Sequence, residues 1–179
     1  MASPDRVTER DHVRVRVLLD GAGESNVSSG LPVLDHLLGL LARYGSIDLE
    51  LQVAPERAEA EIASAGKALG EALRIPLSWE GARGHGSAAA PADEALAHVV
   101  VEASGRPLVV SNVDLTEARI GGLSTDLVAS FLHELAEGGG LTLHVRLIGG
   151  DDSQHVLEAI FKALGAAIAQ AGRPRKRKE

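Results

Sequence analysis

The sequence predicts an α+β fold of two β-β-α-β-α halves, with sheets packed outside the helices. Three observations carry this expectation. The first is a repeat in register. Leu41-Ala42-Arg43-Tyr44-Gly45-Ser46-Ile47-Asp48-Leu49-Glu50-Leu51 runs parallel to Leu135-Ala136-Glu137-Gly138-Gly139-Gly140-Leu141-Thr142-Leu143-His144-Val145, an offset of 135 − 41 = 94. Lys67-Ala68-Leu69-Gly70 then returns as Lys162-Ala163-Leu164-Gly165, an offset of 162 − 67 = 95. An internal duplication produces this order, and shared amphipathic patterning can mimic it. The second observation is the alternation of Val13, Val15 and Val17 with Arg14 and Arg16, the period-two pattern of a strand with one buried face. The third is the stripe Leu157, Ile160, Phe161, Leu164 and Ile168, which shares one helix face at about 100° per residue. Helices with one apolar face need a sheet to cover.

Length and composition bound the rest. A chain of 179 residues is long enough for one domain with a real core. We divide it into pseudo-repeats over about 9–75 and 95–172, a crossover loop over 76–94 and a basic tail over 173–179. Hydrophobic residues make up 45% but aromatics only 2%, so Ala, Leu, Val and Ile must build the core. The net charge of −7 argues against a general nucleic-acid binder. The absence of cysteine excludes disulfides, thiolate metal sites and cysteine nucleophiles, and it fits a reducing cytosol. No apolar run approaches about 18 residues, and the opening Met-Ala-Ser-Pro-Asp-Arg does not read as a signal peptide. The expectation is a cytoplasmic protein with neither a membrane nor a nucleic-acid partner.

Taken in order, His12 to Leu19 is a half-exposed strand, Asp20-Gly21-Ala22-Gly23 a turn, and Glu24 to Ser28 a short strand. Pro32 suits the first turn of a helix that runs to Arg43. A strand over 47–53 and a helix from about Arg57 to Arg74 complete the half. Gly, Ala and Pro dominate from Ile75 to Pro91, which reads as the crossover loop. The second half repeats the plan with strands over 97–103 and 108–113, a helix over 125–137, a strand over 141–148 and a helix from Asp152 or Ser153, either of which can cap it. Arg173 to Lys178 read as a frayed, solvated end.

On that last helix His155, Glu158 and Lys162 fall within about 60° on the polar face. An imidazole, a carboxylate and an ammonium in line suit a metal-and-anion site, and a solvated stripe would look the same. The first half carries Ala60 and Ala63 at the positions of His155 and Glu158.

A series of stretches resembles imidazoleglycerol-phosphate dehydratase, the dehydratase family of histidine biosynthesis. They are Leu19-Asp20-Gly21, Ser29-Gly30-Leu31, Leu34-Asp35-His36-Leu37-Leu38, Pro91-Ala92-Asp93-Glu94-Ala95-Leu96, Ser104-Gly105-Arg106-Pro107, Leu143-His144-Val145 and His155-x-x-Glu158-Ala159-x-Phe161-Lys162-Ala163. They stand in the family's order across about residues 6 to 172. The resemblance implies a duplicated fold like the second domain of ribosomal protein S5. It also implies two manganese ions held by histidines and glutamates, and sites built between subunits of a symmetric assembly. Metal ions of that kind stabilise the negative charge that develops as a proton leaves and water is expelled. By resemblance, His36, His144, His155 and Glu158 occupy metal-ligand positions. Arg106 and Lys162 occupy phosphate-binding positions, with Ser153 as a helper, and Asp93 falls on the family's acidic position.

The departures are as specific. The family's first His-His-x-x-Glu-Asp cluster aligns on Glu59-Ala60-Glu61-Ile62-Ala63-Ser64, and the first histidine of the second cluster on Gln154. The proton-transfer glutamate aligns on Arg10, a substrate-facing Gln and His on Leu40 and Tyr44, and a phosphate-binding Arg on Gly84. His12, His85, His98 and His133 match no ligand position. The expected function is therefore a dehydratase-like protein that is impaired or non-catalytic, with residual phosphate or metal binding and manganese weak or absent. It is expected to form a trimer or larger homo-oligomer, or to join an intact dehydratase paralogue as a partner subunit, with a phosphorylated small molecule as ligand. The alternatives are an active dehydratase with a reduced metal site and an unrelated phosphate-binding module on the same fold.

Overall fold

The computed structural model describes residues 6–10, 12–54, 58–114 and 119–175. The first half runs β1 (Arg6–Arg10), β2 (Val13–Leu18), β3 (Ser25–Ser28), α1 (Pro32–Gly45), β4 (Asp48–Val53) and α2 (Ile62–Ser78). The second half runs β5 (His85–Ala92), β6 (Ala95–Glu102), β7 (Leu108–Ser111), a small hairpin of β8 (Arg119–Ile120) and β9 (Leu123–Ser124), α3 (Thr125–Gly139), β10 (Thr142–Gly149) and α4 (Ser153–Gly172). The four-stranded sheets have matching orders, β1-β2-β4-β3 and β5-β6-β10-β7. In each, the third strand of the half lies parallel to the fourth, β3 to β4 and β7 to β10, and the other pairings are antiparallel.

The valine alternation does what its period requires. Val13, Val15 and Val17 are buried, and Arg14 and Arg16 face solvent. The duplicated stretch forms duplicated helix ends. Ser46 and Gly140, 94 residues apart, both take left-handed backbone, and their N–H groups close the last turns of α1 and α3 on Ala42 and Arg43, and on Ala136 and Glu137. Just beyond, Ile47 N–H and Leu141 N–H bond the carbonyls of Ala42 and Ala136.

The helices pair across the halves: α4 lies on α1 and on β5 and β6, while α2 lies on α3 and on β1 and β2. Glycine sets both crossings. A Cβ on Gly165 would sit 2.1 Å from the Leu41 carbonyl oxygen, and one on Gly70 would sit 2.3 Å from the Leu135 carbonyl oxygen. Backbone is thus packed on backbone at equivalent places. The only two phenylalanines, Phe131 and Phe161, are fully buried and meet with ring centroids 6.2 Å apart, which compensates for an otherwise aliphatic core. Among the described residues no helix is long and apolar enough to cross a membrane.

The structure differs from the sequence reading in three places. Each half opens with an additional strand, giving β-β-β-α-β-α in the first half and the same order with the β8–β9 hairpin inserted before α3 in the second. The expected crossover loop over 76–94 holds the end of α2 and all of β5. Its Gly-Ala-Pro composition fits because β5 is an edge strand, where Pro91 costs no ladder bond, and because Gly86 leaves no Cβ to strike the Ala167 carbonyl of α4. Finally, the start of the basic tail is docked rather than frayed. Arg173 O accepts from Arg83 N–H, Pro174 bridges Ala82, and Arg175 N–H bonds Gly81 O. Residues 176–179 lie outside the described residues.

Gly165→Ala and Gly70→Ala should each cost about 1–3 kcal/mol or more, because the obstructing atom is a backbone oxygen that cannot rotate away. Gly149→Ala, with nothing within 4 Å of its added Cβ, should stay within about 0.5 kcal/mol. Urea unfolding monitored by circular dichroism measures all three.

Candidate functional site

The α1–α4 crossing brings two polar side chains together from positions 122 residues apart. His36 Nε2, near the start of α1, lies 3.0 Å from Glu158 Oε1 on α4. The same oxygen accepts from Gln154 Nε2 at 3.1 Å, one turn earlier on α4. Burial pushes the Glu158 carboxyl up, but hydrogen bonds from Gln154 and His36 and the charges of His36 and Lys162 together hold it below the ordinary range. A cavity of about 210 Å³ opens beside His36 and Gln154, walled by Val33, Leu37, Ile120 and Leu157. One turn beyond Glu158, the Lys162 ammonium donates to the Pro91 carbonyl at 3.2 Å and sits 5.3 Å from the centre of the Tyr44 ring.

A second cluster sits at the N-terminus of α4. Asp152 is the cap, and its Oδ1 accepts from Gln154 N–H at 2.9 Å and His155 N–H at 3.1 Å. Ser153 is therefore the first helical residue, not the cap. Across from it, the two-residue turn between β5 and β6 presents Asp93 and Glu94. Glu94 Oε2 lies 2.7 Å from His155 Nδ1, and Asp93 Oδ2 lies 3.1 Å from His155 Nε2. Glu94 Oε1 also accepts from Asp152 N–H at 3.0 Å. The Asp152 N–H and the His155 side chain hold the Glu94 carboxyl down at about 2, and the hydrogen bond to Glu94 raises the His155 imidazole above its ordinary value.

The site residues expected from the sequence thus separate into two groups. His36, Glu158, Lys162, His155 and Asp93 gather along α4, with Ser153 at its start. His144 and Arg106 do not join them within one chain. His144 lies on β10 between buried Leu143 and Val145, so it faces away from the helices, in register with Val100 and Val110. Arg106 follows the far end of β6 from the Asp93 turn, and eight residues of strand put it on the order of 25 Å from that turn. Glu94 belongs to the site and was not singled out from the sequence. It stands beside Asp93 in the quoted motif, but nothing in the sequence shows that its turn meets α4.

Comparison with known proteins identifies the frame that carries these residues. The model of the imidazoleglycerol-phosphate dehydratase family matches residues 29–168. The chain belongs to the imidazoleglycerol-phosphate dehydratase family. It is 42% identical over 174 residues to the imidazoleglycerol-phosphate dehydratase of Moorella thermoacetica, covering 93% of this chain and 87% of that one. It is 38% identical over 176 residues to that of Pelobacter propionicus, covering 96% and 90%. The crystal structure of imidazoleglycerol-phosphate dehydratase from Staphylococcus aureus superposes with a TM-score of 0.84 at 28% identity, covering 94% of this chain and 97% of that one. That from Pyrococcus furiosus superposes with a TM-score of 0.78 at 28% identity, covering 96% of each. Family membership places the chain with the lyases of histidine biosynthesis.

Within one protomer the donors that the resemblance points to do not converge on one point: His36 and Glu158 meet, His155 meets Glu94 and Asp93, and His144 lies on the other side of the β10 sheet. Among the described residues no group of three or more His, Asp and Glu side chains is arranged to hold a metal ion. At the α2 N-terminus, Glu61 and Ile62 are buried, and Ala60 and Ala63 offer no donor.

The Glu94–His155 pair gives a pH signature. Glu94 is depressed from 4.5, so its contribution to stability is present above pH 4.5 and is lost as pH falls towards about 2. His155 is raised above 6.5, so its contribution is present below pH 6.5 and is lost as pH rises through the raised value. Melting temperature should therefore fall on both sides of a window from 4.5 to 6.5. Glu94→Gln should flatten both flanks relative to wild type.

Proposed function

We propose that this chain is a dehydratase-family subunit that does not by itself turn over imidazoleglycerol phosphate, and that it keeps a partial site for phosphorylated small molecules along α4. The observation that carries this reading is the α2 N-terminus. Where the resemblance sets one histidine cluster, this chain has Glu59-Ala60-Glu61-Ile62-Ala63-Ser64, with Ile62 packed into the core. Gln154 replaces a further histidine, Arg10 stands at the end of β1 where the proton-transfer glutamate is expected, and Tyr44 touches Lys162 where a substrate-facing histidine is expected. Losing a positioned proton-transfer group alone is worth about 10²–10⁴-fold in rate. Any divalent metal held by the remaining donors would be weakly bound.

The separation of His144 and Arg106 from the α4 cluster supports assembly. Those two side chains have a route into a shared site only from a neighbouring subunit. That neighbour is a second copy in a trimer or larger homo-oligomer, or an intact dehydratase to which this chain lends half a site. A second reading, an active dehydratase with a reduced metal site, is favoured by the identity of 38–42% over nearly the whole chain.

Complementation separates the readings. A histidine auxotroph lacking its dehydratase and carrying this chain alone should not grow without histidine. Growth would establish the second reading instead. Growth only with a co-expressed dehydratase disabled in its second histidine cluster would mark a site shared between two chains.

A further inference from the structure

The chain has four aromatic side chains, and only the two phenylalanines lie in the core. The other two, Tyr44 and Trp79, are half-exposed, and both line one cleft of about 490 Å³ where the ends of α1, α2 and α4 meet. Ile75, Pro76, Ala166 and Ala169 add apolar wall, and Asp20 and Arg173 bring one charge of each sign. The docked tail builds part of this cleft. Arg173 O accepts from Arg83 N–H and Arg175 N–H bonds Gly81 O, which sets Arg173 and Pro174 in the wall. Gly81 in turn seats Trp79, since a Cβ there would collide with the indole ring. A cleft of this size, with apolar walls and few polar groups, is the form that small-molecule sites take.

Tyr44 belongs to the cleft and to Lys162 at once. The Lys162 ammonium sits 5.3 Å from the centre of the Tyr44 ring and donates to the Pro91 carbonyl at 3.2 Å. An ammonium has three N–H groups, so these contacts fix its place and leave N–H groups for an anion. Glu158, the carboxylate one turn earlier on α4, is engaged by His36 and Gln154 instead. Ala166, one turn beyond Lys162, already lines the cleft. Cation and cleft therefore adjoin along α4, with Tyr44 as the wall they share.

We propose that this cleft binds the body of a phosphate monoester carrying a flat apolar ring, with the phosphate on Lys162 and the ring against Tyr44 and Trp79. The assignment rests on reading Lys162 as an anion-binding residue of the site proposed above, and it names the other half of the ligand. Leu40 and Tyr44, at positions where the resemblance sets a polar Gln and His, favour an apolar body over a polar one. Indole and phenol rings offer large apolar area with a polar tip, which suits a partly wet boundary. The Asp20 carboxylate disfavours a second anionic group, so a monoester with an uncharged body fits better than a bisphosphate.

Trp79 is the only tryptophan, so fluorescence excited where tyrosine does not absorb reports this cleft in the unmodified full chain. Three probes separate the parts of the ligand: phenyl phosphate, glycerol phosphate with no ring, and benzyl alcohol with no phosphate. Phenyl phosphate should change Trp79 emission saturably. Calorimetry should show it binding about tenfold or more tighter than either other probe, because a buried phenyl ring and a bond to a charged group are each worth about that factor. Lys162→Met should weaken phenyl phosphate about tenfold. Ala169→Gln, which fills the cleft, should abolish the emission response and leave glycerol phosphate unaffected.

Equal affinity for phenyl phosphate and glycerol phosphate, both weakened by Lys162→Met, would remove the cleft and leave the phosphate site standing. Binding of neither would end both. Full phenyl phosphate affinity in Lys162→Met would overturn the anion position. Emission that responds to dilution of the protein but not to phenyl phosphate would place a second copy in the cleft instead. Should a variant fail to fold, the three probes on wild type decide alone. None of these outcomes depends on growth of the auxotroph.

Discussion

The close crossing of α1 and α4 at Gly165 is the constraint on which the candidate site depends. With no side chain at Gly165, the α4 backbone meets the Leu41 carbonyl of α1. That contact brings the two polar faces together: His36 reaches Glu158 at 3.0 Å, and the Lys162 ammonium lies 5.3 Å from the centre of the Tyr44 ring. Helix axes pushed apart by a larger residue would separate both pairs. The apolar stripe of α4 on β5 and β6 then fixes the helix relative to the sheet, and with it the distance from Lys162 to Pro91 and from His155 to the Asp93-Glu94 turn.

The duplicated fold contains a second crossing of the same kind, and it carries no comparable chemistry. Gly70 meets Leu135 there as Gly165 meets Leu41. At the offsets of 94 and 95, His36 corresponds to Ser130, Glu158 to Ala63, His155 to Ala60 and Tyr44 to Gly138. Only Lys67 keeps its counterpart's chemistry. Gly138 is itself close-packed, since a Cβ there would lie 2.1 Å from the Lys67 carbonyl oxygen. The frame is thus symmetric while the site is not. Packing demands act on both crossings through the same small residues, whereas ligand chemistry needs donors that only one crossing retains.

The fold was legible where period and repeat speak directly. The valine alternation of β2, the Pro32 start of α1, the matching helix ends at Ser46 and Gly140 and the stripe of α4 are all local patterns. Strand β5 was not legible, because its Gly, Ala and Pro content reflects an edge position and a helix lying close against it, and both are tertiary facts. The same composition placed the end of α2 at Arg74, whereas the helix continues to Ser78 with Pro76 in its last turn. Of the site, the residue types on α4 and His36 could be named from the sequence, but not the pairing of His36 with Glu158 across 122 residues. Glu94 was out of reach for the same reason. Its role comes from a hairpin turn meeting a helix 58 residues away at Asp152, a contact with no local signature.

The proposed reading is that this family member, with donors at only one of its two equivalent crossings, does not hold a tight metal centre. Metal content tests it most directly. Purified full-length chain saturated with manganese, passed through gel filtration and analysed by inductively coupled plasma mass spectrometry, should retain well under one manganese per chain. Retention of close to two per chain would contradict the account.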